Sequence, residues 1–200
     1  MSEPQPLAAP LPRLVVGPRL RLEAWRRDQV PEVHALVVRS LGSFTAYLPW
    51  AHEGITVEEE AAAQLDLERR WEERVTGAWV IIEDEPILGT IGLHRRGGPD
   101  EIEIGYLLDD AATGRGVMTE AVRMVTDLAF SVPGIEVVEI VHDRSNTRSE
   151  AVPARCGYRR SGSFTSAPQA RCETGVKVRW TARRGEWLAR GVPSTVVSAT

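Results

Sequence analysis

Glu103-Ile104-Gly105-Tyr106-Leu107-Leu108-Asp109-Asp110-Ala111-Ala112-Thr113-Gly114-Arg115-Gly116-Val117-Met118-Thr119-Glu120-Ala121 holds a strand, a glycine turn and the start of a helix in one uninterrupted run. From Ile102 to Leu108 large apolar side chains recur at every second position (Ile102, Ile104, Tyr106, Leu108), the period of a strand with one face on a core. Gly114 and Gly116 bracket Arg115, and a helical pattern begins at once. Met118, Ala121, Val122, Val125, Leu128 and Ala129 recur at spacings of three and four and form one apolar stripe reaching to about Phe130.

A glycine turn that opens a helix presents backbone N–H groups with no intrahelical partner. Glycine lets that backbone approach a ligand and adopt dihedrals that a Cβ forbids. Unpaired donors and the positive end of the helix dipole together suit a diphosphate. The same pattern also describes an ordinary tight strand-to-helix turn, so the surrounding elements must separate the two.

The chain of 200 residues predicts one domain with a full core, and its 42% hydrophobic and 26% charged residues are ordinary for a globular protein. A formal net charge of −4 gives no basic field for nucleic acid or an anionic membrane. Cys156 and Cys172 lack both metal-site spacing and the density of a disulfide scaffold, so no metal is expected. Without a long apolar run or a basic-then-apolar leader, a cytoplasmic location is the expectation.

Residues 1–12, with Pro4, Pro6, Pro10 and Pro12, read as a disordered leader. Arg13 to Trp25 reads as a strand or strand pair broken at Gly17-Pro18, and Asp28 as the N-cap of a helix from about Gln29 to Arg39. An aromatic loop from Ser40 to Ile55 precedes a helix headed by Thr56, whose acidic first turn and basic later portion complement the dipole. Strands are expected over 78–83 and 87–93, joined at Asp84-Glu85-Pro86, and Gly97-Gly98-Pro99 turns the chain into the quoted stretch. After it come a β-branched strand over 135–141, a helix over 146–156 stopped by Gly157, and strands over 158–164 and 172–182. Residues 13–185 thus form the domain and 186–200 a tail. This order predicts a mixed α/β (α+β) domain around a single, mostly antiparallel sheet of six to seven strands, with about four helices.

That order, with "EIGYLL", "GRGVMTEA" and "NTRSEAVPARCGY" in register and "YLPW" at Tyr47 to Trp50, resembles the GNAT superfamily of acyl-CoA-dependent N-acyltransferases and, within it, the RimJ/RimL branch. The likeness covers roughly Arg19 to Trp180. It departs from the branch's pattern at Leu107, where tryptophan is usual, at Ala111, where the phosphate loop often starts with glutamine or arginine, and at Pro153. Proline there cannot donate to the Ser149 carbonyl and is expected to kink the helix.

The resemblance implies a sheet splayed at its centre and acetyl-CoA (coenzyme A) as the donor. Free backbone groups at Tyr106, Leu107 and Leu108 would pair with pantetheine as an added strand. The amides of Thr113, Gly114, Arg115, Gly116, Val117, Met118 and Thr119 would hold the diphosphate, with Arg115 either adding charge or facing solvent, and Arg155 would reach the adenosine phosphates. Asn146 would bond the pantetheine arm or simply cap its helix. Ser149 would approach the sulfur as proton donor or orienter, or lie solvated. Glu103 would be the base that frees the acceptor amine, or a surface carboxylate paired across the sheet. Tyr47, Trp50 and His52 would wall the acceptor cleft or form a satellite core, whereas His142 and Cys156 read as structural.

These residues predict acetyl transfer to a primary amine, either a protein N-terminus or a small amine such as a polyamine, an amino acid or an antibiotic. A larger donor such as succinyl-CoA stays open, as does a homodimer, since the family often pairs. A CoA-binding module without chemistry is the rival from another class. A dinucleotide-dependent oxidoreductase fits less well, because Gly114-Arg115-Gly116 lacks the following x-x-Gly and no βαβ unit precedes it.

Overall fold

A computed structural model describes residues 5–191 and the backbone of Val196–Val197. Its strands are β1 (Leu14–Val16), β2 (Arg21–Ala24), β3 (Thr76–Ile82), β4 (Ile87–His94), β5 (Glu101–Leu108), β6 (Val137–Asp143), β7 (Arg159–Thr165), β8 (Val176–Arg183) and β9 (Val196–Val197). The helices are α1 (Val30–Arg39), α2 (Leu41–Phe44), α3 (Val57–Glu72), α4 (Val117–Ser131), α5 (Thr147–Cys156) and α6 (Arg184–Leu188). One sheet runs β7-β8-β6-β5-β4-β3-β2-β1-β9, antiparallel throughout except for β5 beside β6.

The nine strands exceed the expected six to seven because Gly17-Pro18 splits the first run into β1 and β2, and β9 pairs with β1. The extra helices are short: α2 lies inside the expected aromatic loop, and α6 spans the expected boundary between domain and tail.

Both faces of the sheet are covered, so β3 is buried along its whole length. Trp79 and Ile81 pack with Ile102, Ile104, Val122, Val125 and Phe130 on the α4 face. Val80 and Ile82 pack with Val33, Leu36, Val37 and Phe44 on the α1 face. Thr56 caps α3 in a reciprocal box with Glu59, as its spacing implied.

Three expectations need correction. Asp28 does not cap α1: it sits in a 3-10 turn (Arg27–Gln29), its carboxylate holds Arg26 at 3.1 Å, and Pro31 starts the helix near Val30. The leader is ordered from residue 5, since Leu7 and Leu11 are buried in the main core and the Leu7 N–H donates to the Arg74 carbonyl. Residues 1–4 of that leader lie outside the described residues. The tail after 185 begins as α6, where Trp187 packs edge-on to Tyr158 at 5.8 Å and donates to Asp127.

Candidate active site

β5 and β6 pair in parallel only at Glu101–Val137, Ile102–Val138 and Glu103–Glu139. Beyond Glu103 β5 stays with β4 up to Leu108, while β6 stays with β8 up to Asp143. The two central strands therefore diverge, and the backbone edge of residues 104–108 faces a gap rather than a partner strand. The expected splay is present.

The α4 side of this gap opens into a cavity of about 860 Å³. Tyr106, Leu107 and Leu108 form one wall, Thr113, Gly114, Gly116, Val117, Met118 and Thr119 a second, and Asn146, Ser149 and Arg155 a third. Gly114 and Gly116 have φ of +77° and +79°, and a Cβ built on either meets nothing within 4 Å. Their side-chain-free surface is therefore open, and the left-handed backbone is what demands glycine. Gly116 is the N-cap of α4 and no side chain caps that helix. The Ala111 N–H is already taken by Asp109, whose carboxylate also holds Arg39 at 2.7 Å.

Arg115 does not line the cavity: its guanidinium pairs with Glu83, which also holds Arg19. Arg148 does line it, bonded to Asp110 at 2.7 Å, and was missed in the sequence because an exposed first-turn arginine carries no periodic signal.

A second cavity of about 680 Å³ shares Tyr47, Leu48, Tyr106, Leu107, Asn146 and Ser149 with the first and so meets it at the splay. Glu103 lines it with Trp50, His94, Arg96, Glu173 and Lys177. Burial pushes the Glu103 carboxyl up from its ordinary range, and Arg96 at 2.7 Å opposes that shift. The carboxylate that β6 places beside it, Glu139, is raised as well, by burial and then by Glu101 and Glu103, against the pull of Arg179. His94 stands opposite Glu103 across the β4–β5 ladder and is driven down to about 3 by burial. Arg96 and His94 were not singled out in the sequence, yet the hairpin register would have placed His94 there.

Tyr47 spans the gap by donating to the Ser145 carbonyl at 3.1 Å. Trp50 lies at the rim of the second cavity, 44% exposed. His52 belongs to neither wall: its ring contacts the Glu53 carbonyl and Glu59 at the front of α3, and those acceptors raise its pKa.

Asn146 caps α5, its side chain accepting from the Ser149 N–H at 3.1 Å. The helix continues through Pro153 to Cys156. Tyr106 Oη lies 3.0 Å from both the carbonyl oxygen and Oγ of Ser149. His142 is buried between the Asp143 carbonyl and the Trp180 indole N–H. Cys156 is buried, donates to the Thr119 carbonyl, and is pushed up to about 11 by burial. Among the described residues no cluster of three or more His, Cys, Asp or Glu side chains suits a metal, and no helix is long and apolar enough to cross a membrane.

The profile of the acetyltransferase (GNAT) domain matches residues 19–159, a span that runs from β2 to the start of β7 and includes the splay and the glycine turn. The chain belongs to the GNAT acetyltransferase family. A curated relative, the probable N-acetyltransferase YjcK of Bacillus subtilis, is 37% identical over 81 residues, which make up 40% of this chain and 45% of that protein. The match therefore spans less than half the length of that relative. RimJ of Mycobacterium smegmatis, solved in complex with CoA-disulfide, superposes with a TM-score of 0.78 at 18% identity, over 94% of this chain and 98% of that one. RimL, a ribosomal L7/L12 alpha-N-protein acetyltransferase solved with coenzyme A, gives 0.76 at 20% identity over 84% and 96%. At these identities the two structures establish the GNAT fold.

Proposed function

We propose that this GNAT protein is an N-acetyltransferase that moves the acetyl group of acetyl-CoA to a primary amine by direct attack in a ternary complex. The observation that carries the reading is the meeting of two cavities at Tyr106, Leu107 and Ser149, one lined by the glycine turn and the other by the half-buried Glu103 carboxylate. The donor fits what the first cavity offers: an uncapped helix start behind two left-handed glycines for the diphosphate, and an unpaired strand edge at Tyr106 to Leu108 for an amide-bearing arm.

Acetyl-CoA supplies an acyl group activated as a thioester. Glu103 takes a proton from the acceptor, directly or through water, so that the amine lone pair can form the new C–N bond. A β5 backbone N–H supports the charge that develops on the carbonyl oxygen as the C–S bond breaks. Ser149 offers its hydroxyl to the departing sulfur, which takes its proton from there or from water, and the proton that the nitrogen sheds after attack passes through water to restore the serine. Holding both reactants at the splay supplies further acceleration.

A peptide N-terminus is the favoured acceptor. Glu60, Glu103, Asp143 and Glu173 share the lining of the second cavity with Arg70, Arg96 and Lys177, so it is not the purely acidic slot that would suit a polyamine. The RimL neighbour is named for an alpha-N-protein substrate, which agrees with this preference. A small amine is the second reading, and a CoA-binding module is disfavoured by the retained Glu103 and glycines.

The test is incubation with acetyl-CoA and two acceptor sets, peptides with free N-termini and small amines, following thiol release and acetyl mass gain. Acetylated peptide is the expected product. Binding of CoA without turnover on either set would leave only the module.

A further inference from the structure

We infer that Tyr106 is a positioning residue for Ser149, standing in for the helical donor that Pro153 cannot supply. The inference rests on the acyl transfer proposed above only for the role it gives Ser149. In an α-helix the carbonyl of residue 149 is satisfied by the N–H of residue 153. Residue 153 is proline inside α5, buried, with no hydrogen on its nitrogen. The Ser149 carbonyl is partly buried, and a carbonyl shielded from water without a donor is costly. The group that reaches this one is not on the helix: Tyr106, from β5 across the splay, donates to it at 3.0 Å.

The proton count fixes more. Tyr106 has one hydrogen and lies 3.0 Å from two oxygens of Ser149, the carbonyl and Oγ. A carbonyl has no proton to give, so Tyr106 must donate there for the bond to exist. Its own oxygen is then the acceptor for the Ser149 O–H. The tyrosine thus satisfies the backbone and at the same time holds the serine hydroxyl in one rotamer, at the place where the two cavities join. Burial raises the Tyr106 phenol far above its ordinary range, so it keeps its proton and acts as a fixed donor, not as an acid. The proton free to move belongs to Ser149: its O–H is parked on Tyr106 until a stronger acceptor, the sulfur losing its acyl group, turns it away.

The two bonds separate experimentally. Replacing Pro153 by alanine restores a helical N–H to the Ser149 carbonyl but does nothing for Oγ. The experiment is a set of five purified full-length variants beside the wild type: Y106F, P153A, Y106F/P153A, S149A and Y106F/S149A, each read by melting temperature and by kcat and KM for acetyl-CoA. Y106F should lower the melting temperature with Pro153 present, and clearly less in the P153A background. It should also lower kcat roughly five- to tenfold, the worth of one ordinary hydrogen bond, with KM for acetyl-CoA unchanged. In the S149A background the same change should have no further effect on kcat.

Equal melting losses in both the wild-type and P153A backgrounds would overturn the backbone half of the inference. An equal kcat loss with and without the serine hydroxyl would overturn the positioning half. Absence of turnover in the wild type would instead refute the proposed function and the positioning half with it, while the melting comparison would still decide the Pro153 compensation.

Discussion

Gly116 is the position at which the proposed diphosphate site can be probed by a single methyl group. Its φ is +79°, and an added Cβ meets no atom within 4 Å, so alanine there introduces backbone strain and no collision. An L-residue in the left-handed region costs about 1–2 kcal/mol. In the free protein the turn can relax to avoid this, which swings the amides at the front of α4 away from the cavity. Binding must restore the left-handed turn, so coenzyme A affinity should fall by the same amount, about five- to thirtyfold. Gly134 supplies the control: its φ is +84°, it also has open space at Cβ, and it lies beyond the far end of α4. G134A should lose comparable stability and bind coenzyme A as the wild type does. Calorimetric titration of both variants, at a temperature where both are folded, reads the difference. Equal affinities for G116A and the wild type would refute the argument that these amides hold the diphosphate.

Glu103→Gln should remove the pH-dependent limb of kcat/KM. The carboxyl is raised by burial in the folded protein, so the folded state holds more protons than the unfolded chain between the ordinary glutamate value and the raised one. Wild-type stability should therefore fall as pH rises through that window, and the glutamine variant should show a flatter profile in urea melts at several pH values. Asp143 runs the other way. Burial pushes its carboxyl up, but backbone and side-chain donors of Ser145 and Thr174 outweigh burial and hold it well below the usual range. Its contribution is present above the unfolded value and lost as pH falls through the depressed one, and D143A should cost at least about 3 kcal/mol by chemical denaturation at neutral pH because three backbone N–H groups lose their acceptor. Trp187→Ala should cost about 3–5 kcal/mol, because the ring fills a place between Phe130 and Tyr158. A loss below about 1 kcal/mol would mean that α6 is peripheral to the core.

Much of this architecture was legible because it is written in short-range patterns. The alternation from Ile102 to Leu108 and the stripe from Met118 to Ala129 each report one buried face, and Gly114 and Gly116 report a backbone that only glycine adopts readily. Thr56 and Asn146 were legible as caps because capping is local chemistry.

What escaped was set by contacts distant in sequence. Leu7, Leu11 and Trp187 sit in segments with no period of their own, and only the completed core explains why they are buried. Arg115 looked like a phosphate ligand by position, but Glu83 from the β3–β4 turn is within reach and takes it. His52 shared a loop with Tyr47 and Trp50, yet the acidic front of α3 draws its ring the other way. The proline in α5 read only as a kink, because the donor that reaches the Ser149 carbonyl comes from a strand forty-three positions before that serine.

The most direct test follows backbone amide resonances of the isotope-labelled protein as coenzyme A is added. The account predicts that the largest shifts fall at residues 114–119 and 106–108, with little change along β1, β2 and α6. Saturable binding that leaves both of those segments unmoved, or no shifts at millimolar coenzyme A, would contradict it.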